Sequence, residues 1–135
     1  MRTAPFSFNG QTYHLLFNGA ALFDIYDEFG TEGSVTDHIL GKDRKALEAL
    51  CWYLEELAWQ GELLRRYEGR DPQKVPAAAD FLVGLGPMDV LRAQDAVRQA
   101  VCAGFLREEE EKKEVDKGLL ELGKKTAGGS PGPST

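Results

Sequence analysis

The chain has 135 residues, with 16 Lys and Arg against 22 Asp and Glu, a formal charge of −6 and an isoelectric point near 4.9. That length suits one domain, and 42% hydrophobic with 28% charged residues supplies enough apolar surface for a core, which excludes a chain disordered throughout. The acidic balance argues against a general nucleic-acid or anionic-lipid binder, because both affinities rest on clustered Lys and Arg. No apolar run approaches the ~20 residues that span a bilayer, and the start, MRTAPFSFNG, lacks the apolar stretch of a signal peptide, so a cytoplasmic location is expected.

Aromatic segments around Phe6 to Phe8 and Tyr13 to Phe17 flank Asn9 and Gly10, the strongest short hairpin signal, and predict a β-hairpin over residues 6–17. Asn18 then caps a helix over about 20–29, whose Leu22, Ile25, Tyr26 and Phe29 recur at helical spacing and which stops at Gly30. Ser34 opens a short helical stretch over 34–40, ended by Gly41. From the cap Asp43 a long helix runs over 44–68, before Gly69, Asp71 and Pro72 break the pattern. Leu47, Leu50, Cys51, Leu54, Leu57, Ala58, Gly61 and Leu64 form one stripe on it, while Trp52, Trp59 and Leu63 project on nearly the opposite side. The long helix therefore has two apolar faces.

After a connector bounded by Pro72 and Pro76, residues 77–83 offer a short helix and Gly84 to Gly86 a turn. Pro87 at a first helical position opens a last helix over 87–107, with Val90, Ala93, Val97, Ala100, Val101 and Gly104 in a stripe of small side chains that permits close backbone approach. The fold class expected is mainly α (α+β): an N-terminal β-hairpin packed on a small helical bundle, one globular domain over 1–107. Residues 108–135 read as a charged, flexible and disordered tail, in which Val115, Leu119, Leu120 and Leu122 make an apolar island over 115–122 suited to docking.

Catalytic chemistry is poorly supported. His14 and His38 stand alone, without a second ligand at a metal-binding spacing, and Cys51 and Cys102 read as two reduced, core-filling thiols. Residues 118–125 have the glycine and lysine spacing of a phosphate-binding loop, but Lys125 stands where a hydroxyl should hold Mg²⁺. The carboxylate pairs Glu55 with Glu56 and Asp27 with Glu28 read as solvated charges on amphipathic helices, and Arg65, Arg66 and Arg70 are bordered by Glu62 and Glu68. No enzyme, cofactor or metal is expected.

What remains is surplus apolar surface. Trp52, Trp59 and Leu63 are the candidate partner-binding residues, with Tyr53 and Tyr67 as weaker anchors and Leu119 and Leu120 as a further contact. The alternative is that the hairpin or the last helix covers this second face, and a homo-oligomer burying it would satisfy both readings.

Three stretches, Thr12 to Gly30 (TYHLLFNGAALFDIYDEFG), Leu50 to Gly69 (LCWYLEELAWQGELLRRYEG) and Glu114 to Leu122 (EVDKGLLEL), resemble the tail assembly chaperones of long-tailed phages and prophages of Gram-positive bacteria. The likeness extends over nearly the whole chain to Thr126 and consists of packing patterns without a catalytic signature. It implies a small, mainly helical, non-enzymatic protein in the cytoplasm of the bacterial host and absent from the mature virion. Such chaperones bind the tape measure protein, keep it soluble and help the tail tube protein polymerise around it. Many also occur as a longer form made by programmed frameshift, and Lys124 with Lys125 fits a slippery run of codons at such a site. The rival expectation is a structural or connector component of a phage tail or virion.

Overall fold

The structure is a computed structural model and describes residues 3–106. By its internal contacts the chain divides after Gly104 into two compact units, and the elements below belong to the first, save the last two residues of the final helix. Strands β1 (Ala4–Phe8) and β2 (Gln11–Leu15) pair antiparallel with Phe6 opposite Tyr13 and Ala4 opposite Leu15. Asn9 and Gly10 join them with φ of 50° and 78°, the two positive values that a tight hairpin turn needs. One face of the ribbon carries Ala4, Phe6, Phe8, Tyr13 and Leu15, all buried, and the other carries Ser7 and Thr12, whose hydroxyls lie 3.1 Å apart. Counting back from the closing pair Phe8 and Gln11, Pro5 falls where an N–H would point away from β2, so its missing donor blunts the open edge.

Helix α1 (Gly19–Phe29) starts where expected: the Asn18 side chain accepts from the Ala21 N–H at 2.9 Å. It stops at Gly30, which at φ 88° donates its N–H to the Tyr26 carbonyl. The expected helix over 34–40 is instead a single 3-10 turn, Asp37–Ile39. The Val35 carbonyl accepts from the Tyr53 hydroxyl at 2.5 Å, and Ile39 donates to Thr36 rather than one residue further back. A stretch this short propagates no helix once its carbonyls are engaged elsewhere.

Helix α2 (Arg44–Tyr67) is capped by Asp43 through the Ala46 N–H at 2.9 Å and is the hub of the unit. Its expected stripe is buried from Leu50 to Gly61, with Leu47 and Leu64 half-buried. Burial extends further round than that stripe, taking in Ala46, Ala49, Tyr53, Gln60 and Glu62. Just beyond β2, the Leu16 N–H donates to the Leu57 carbonyl at 3.0 Å, and a Cβ at Gly61 would stand 1.7 Å from the His14 carbonyl oxygen. Glycine at 61 is therefore what lets strand and helix backbones touch.

Helix α3 (Ala78–Gly84), one residue later than expected, presents the fully buried Phe81 to the hairpin, with its ring 4.7 Å from Phe8 and 6.4 Å from Phe6. Its first amides are held by acceptors: Ala78 donates to Glu55 at 2.7 Å, and the Asp80 carboxylate accepts from Ala77 at 2.9 Å. The chain is helical again over 87–106, termed α4, with Ala93, Ala96, Val97, Ala100 and Val101 buried. At its far end a Cβ on Gly104 would lie 2.4 Å from the Phe17 carbonyl oxygen, the close approach that the small-residue stripe predicts. Cys51 is a core thiol, but Cys102 is exposed. At ~100° per residue Cys102 lies about 140° round the helix from Val97, outside the packed sector. The reading of 108–135 as a tail lies outside the described residues.

Candidate functional site

Nearly all of helix α2 is covered by its neighbours, and one strip of it is not. Trp59 is 39% exposed, Leu63 41% and Tyr67 90%, spaced four residues apart along one edge. Trp52, two turns before Trp59, is half-buried: the Phe29 ring of α1 meets it edge-on at 5.2 Å. Tyr53 is fully buried, with its hydroxyl spent on Val35, so it is a core residue and not a surface anchor. The structure thus brings together Trp52, Trp59, Leu63 and Tyr67 and removes Tyr53 from the set. Leu119 and Leu120, with the whole segment 115–122, lie outside the described residues, as do Lys124 and Lys125. From residue 52 to residue 67 the strip is about 22 Å long at 1.5 Å per residue.

Beside the strip runs α1, antiparallel to α2. Asn18 at its start donates to Gln60 at 3.1 Å, and Phe29 at its end stacks against His38 (4.9 Å) and touches Trp52 and Tyr53. Between these two anchorages Asp24 of α1 meets Glu56 of α2. Burial, the hydrogen bond with Asp24, and the charges of Asp24 and Glu55 push the Glu56 carboxyl up to about 7, against a weaker opposing pull from the Gln60 amide 3.2 Å away. Glu56 is accordingly not the solvated charge that the sequence pattern predicts, but a half-buried carboxyl facing a second one. Sequence reasoning missed this pair because each carboxylate looks ordinary on its own helix; only the antiparallel packing opposes them.

The basic end of α2 is differently arranged. Glu62 is 3% exposed, and although burial opposes its charge, bonds from the Gln73 N–H (2.6 Å), Arg66 Nε (2.9 Å) and Arg65 Nη1 (2.6 Å) hold its carboxyl below the usual range. The Arg66 guanidinium also lies 5.1 Å from the Trp59 ring centroid, covering one face of the indole. The arginines bordering the strip are thus engaged within the chain.

Elsewhere, an open cleft of about 580 Å³ between hairpin and α3 is lined by Phe8, Tyr13, Lys74, Pro76 and Val83 among others. The Tyr13 hydroxyl donates to Gln11 at 3.1 Å there, and no nucleophile stands beside a base. Among the described residues, no group of three His, Cys, Asp or Glu is placed to hold a metal ion, and no helix is long and apolar enough to cross a membrane. Met88 and Leu91 are also exposed, on an outer side of α4 shared with Arg92, Asp95 and Arg98. Single apolar side chains in such mixed surroundings are ordinary. No family model, curated protein or solved structure matches the chain.

Proposed function

We propose that this chain is a tail assembly chaperone: it binds the tape measure protein of a long-tailed phage or prophage, keeps it soluble in the host cytoplasm and promotes polymerisation of the tail tube protein around it. The observation that carries the reading is the row Trp59, Leu63 and Tyr67, left in water on a helix whose other sides are buried. A domain of this size gains by covering such side chains, and Trp and Tyr concentrate binding energy where a partner does cover them. An amphipathic helix laid against a helix is the form of recognition that residues at four-residue spacing suit. The acidic remainder of the chain would keep the loaded complex soluble. A longer frameshifted form sharing this N-terminal domain would present the same face, and self-association over it would compete with the partner.

The test is co-expression with the tape measure gene of the same phage or prophage. The native chain should bring the tape measure into the soluble fraction and co-purify with it, and the paired change of Trp59→Ala with Leu63→Ala should abolish both while leaving the thermal midpoint of the chaperone within a few degrees. Equal solubilisation by this variant, correctly folded, would remove the face from the function. Purified particles analysed by mass spectrometry should lack the chain; its presence there in stoichiometric amount would make it a virion component instead.

A further inference from the structure

The charge along the α1 side of the exposed strip has one sign. From residue 3 to residue 41 the chain holds no Lys or Arg, while α1 and the loop after it carry Asp24, Asp27, Glu28, Glu32 and Asp37. On α2 the cations are confined to the two ends, Arg44 and Lys45 and then Arg65 and Arg66, so the stretch between them holds only Glu48, Glu55, Glu56 and Glu62. Glu62 and Glu48 have arginine partners within the helix, and Glu55 receives the Ala78 amide. Among the described residues, no Lys or Arg pairs with Asp24, Glu28 or Glu56. Asp24 and Glu56 face each other across the α1–α2 seam beside Trp52 and Trp59, and burial together with the facing Asp24 raises the Glu56 carboxyl.

We infer that the strip formed by Trp52, Trp59 and Leu63 together with Asp24 and Glu56 receives an amphipathic helix that carries Lys or Arg along the border of its apolar face. The inference rests on the chaperone reading and adds to it the chemistry of the partner segment. Two observations fix the class. From Trp52 to Leu63 the strip spans about 16 Å, the length of three helical turns, which a helix covers with side chains three and four residues apart. Asp24 and Glu56 on its α1 side have no Lys or Arg partner among the described residues, so a cation arriving there gains an opposite charge in a half-buried setting, whereas an acidic partner meets repulsion. The guanidinium of Arg66 over Trp59 shows that a cation and the indole fit together at this spot.

The chain carries its own reporter, since its two tryptophans are Trp52 and Trp59, both on the strip. Two synthetic 18-residue helical peptides without aromatic residues, sharing one Leu and Ala face and bordered in one case by Lys and in the other by Glu, are titrated into the full chain at pH 7.5 while tryptophan emission is followed. The Lys-bordered peptide should shift the emission and bind at least ~10-fold more tightly than the Glu-bordered one, a ratio that corresponds to about 1.4 kcal/mol. The paired change of Asp24→Asn with Glu56→Gln, which keeps the shape of both side chains, should bring the two peptides to within a factor of about two of each other. Equal binding of both peptides to the native chain overturns the inference. So does an unchanged preference in the variant, and so does the absence of any emission change with either peptide. Each of these results leaves the co-expression assay free to succeed, so failure of the charge rule and failure of the chaperone reading are told apart.

Discussion

At the scale of single residues, Gly61 separates two effects that usually point the same way. In the middle of a helix, Gly→Ala is worth up to ~1 kcal/mol of helix propensity. At position 61 the added methyl would stand 1.7 Å from the His14 carbonyl oxygen, a backbone atom that moves only if the hairpin moves. Steric conflict of that kind costs ~1–3 kcal/mol even where flexible side chains absorb it, so Gly61→Ala should lose about 2 kcal/mol or more, the reverse of the propensity effect. Gly19, the first residue of α1, has open space for 4 Å around the place a methyl would take and serves as the control: Gly19→Ala should be neutral or stabilising by up to ~1 kcal/mol. Urea unfolding of both variants checks the pair. Tyr53 makes the complementary case. Its ring is fully buried and its hydroxyl meets the Val35 carbonyl, so Tyr53→Phe keeps the packing and should cost about 1 kcal/mol in the same assay. Such a loss would come with no change in peptide or partner binding, as befits a core residue.

At the scale of elements, the two seams of α2 respond to pH in opposite senses. Along the α1 seam, folding raises the Glu56 carboxyl from an ordinary 4.5 to about 7, because burial and the facing Asp24, with Glu55 alongside, disfavour its charge. The folded state therefore binds this proton more tightly than the unfolded chain, and the contribution is complete below pH 4.5 and lost as the pH climbs through about 7. Along the connector seam, Glu62 has its carboxyl lowered by Gln73, Arg66 and Arg65 despite its burial; that contribution is complete above the ordinary carboxylate value and is lost as acid is added. The thermal midpoint should thus be highest in mildly acidic buffer and fall by a few degrees toward pH 8. Glu56→Gln should flatten the alkaline limb and leave the acid limb in place. An alkaline limb as steep in Glu56→Gln as in the native chain would show that another group sets it. Glu62→Gln should do the reverse and should also lower stability throughout, because the neutral amide leaves the half-buried Arg65 and the more exposed Arg66 without their counter-charge.

At the scale of the whole molecule, local signals carried most of the fold and little of the site. Asn9 with Gly10, the caps Asn18 and Asp43, Gly30 and Pro87 each act on their immediate neighbours, and each marks an element boundary that the structure keeps to within a residue or two. The stretch 34–40 resisted because a distant tyrosine hydroxyl takes the carbonyl that its helix would use. Trp52, Trp59 and Leu63 occupy one sector of the helical wheel, yet Phe29 half covers the first and leaves the others in water, a difference set by the path of α1. The same path opposes Asp24 to Glu56, and no spacing within either helix announces it. It also gives partner binding a dependence on salt. Between residues 3 and 106 there are nine Lys and Arg against fifteen Asp and Glu, and Asp24 of α1 faces Glu56 beside the apolar strip. A partner drawn in by that field should associate several-fold more slowly in 0.5 M NaCl than in 0.05 M, as the screening length falls from roughly 14 Å to 4 Å, with a dissociation rate that changes much less. A face that worked by apolar burial alone would behave differently, because salt does not weaken hydrophobic contact and excluded salts strengthen it. Surface plasmon resonance with immobilised tape measure separates the two rates. A fall confined to association places the acidic frame in the encounter, whereas association independent of salt would leave the apolar row as the whole of the recognition.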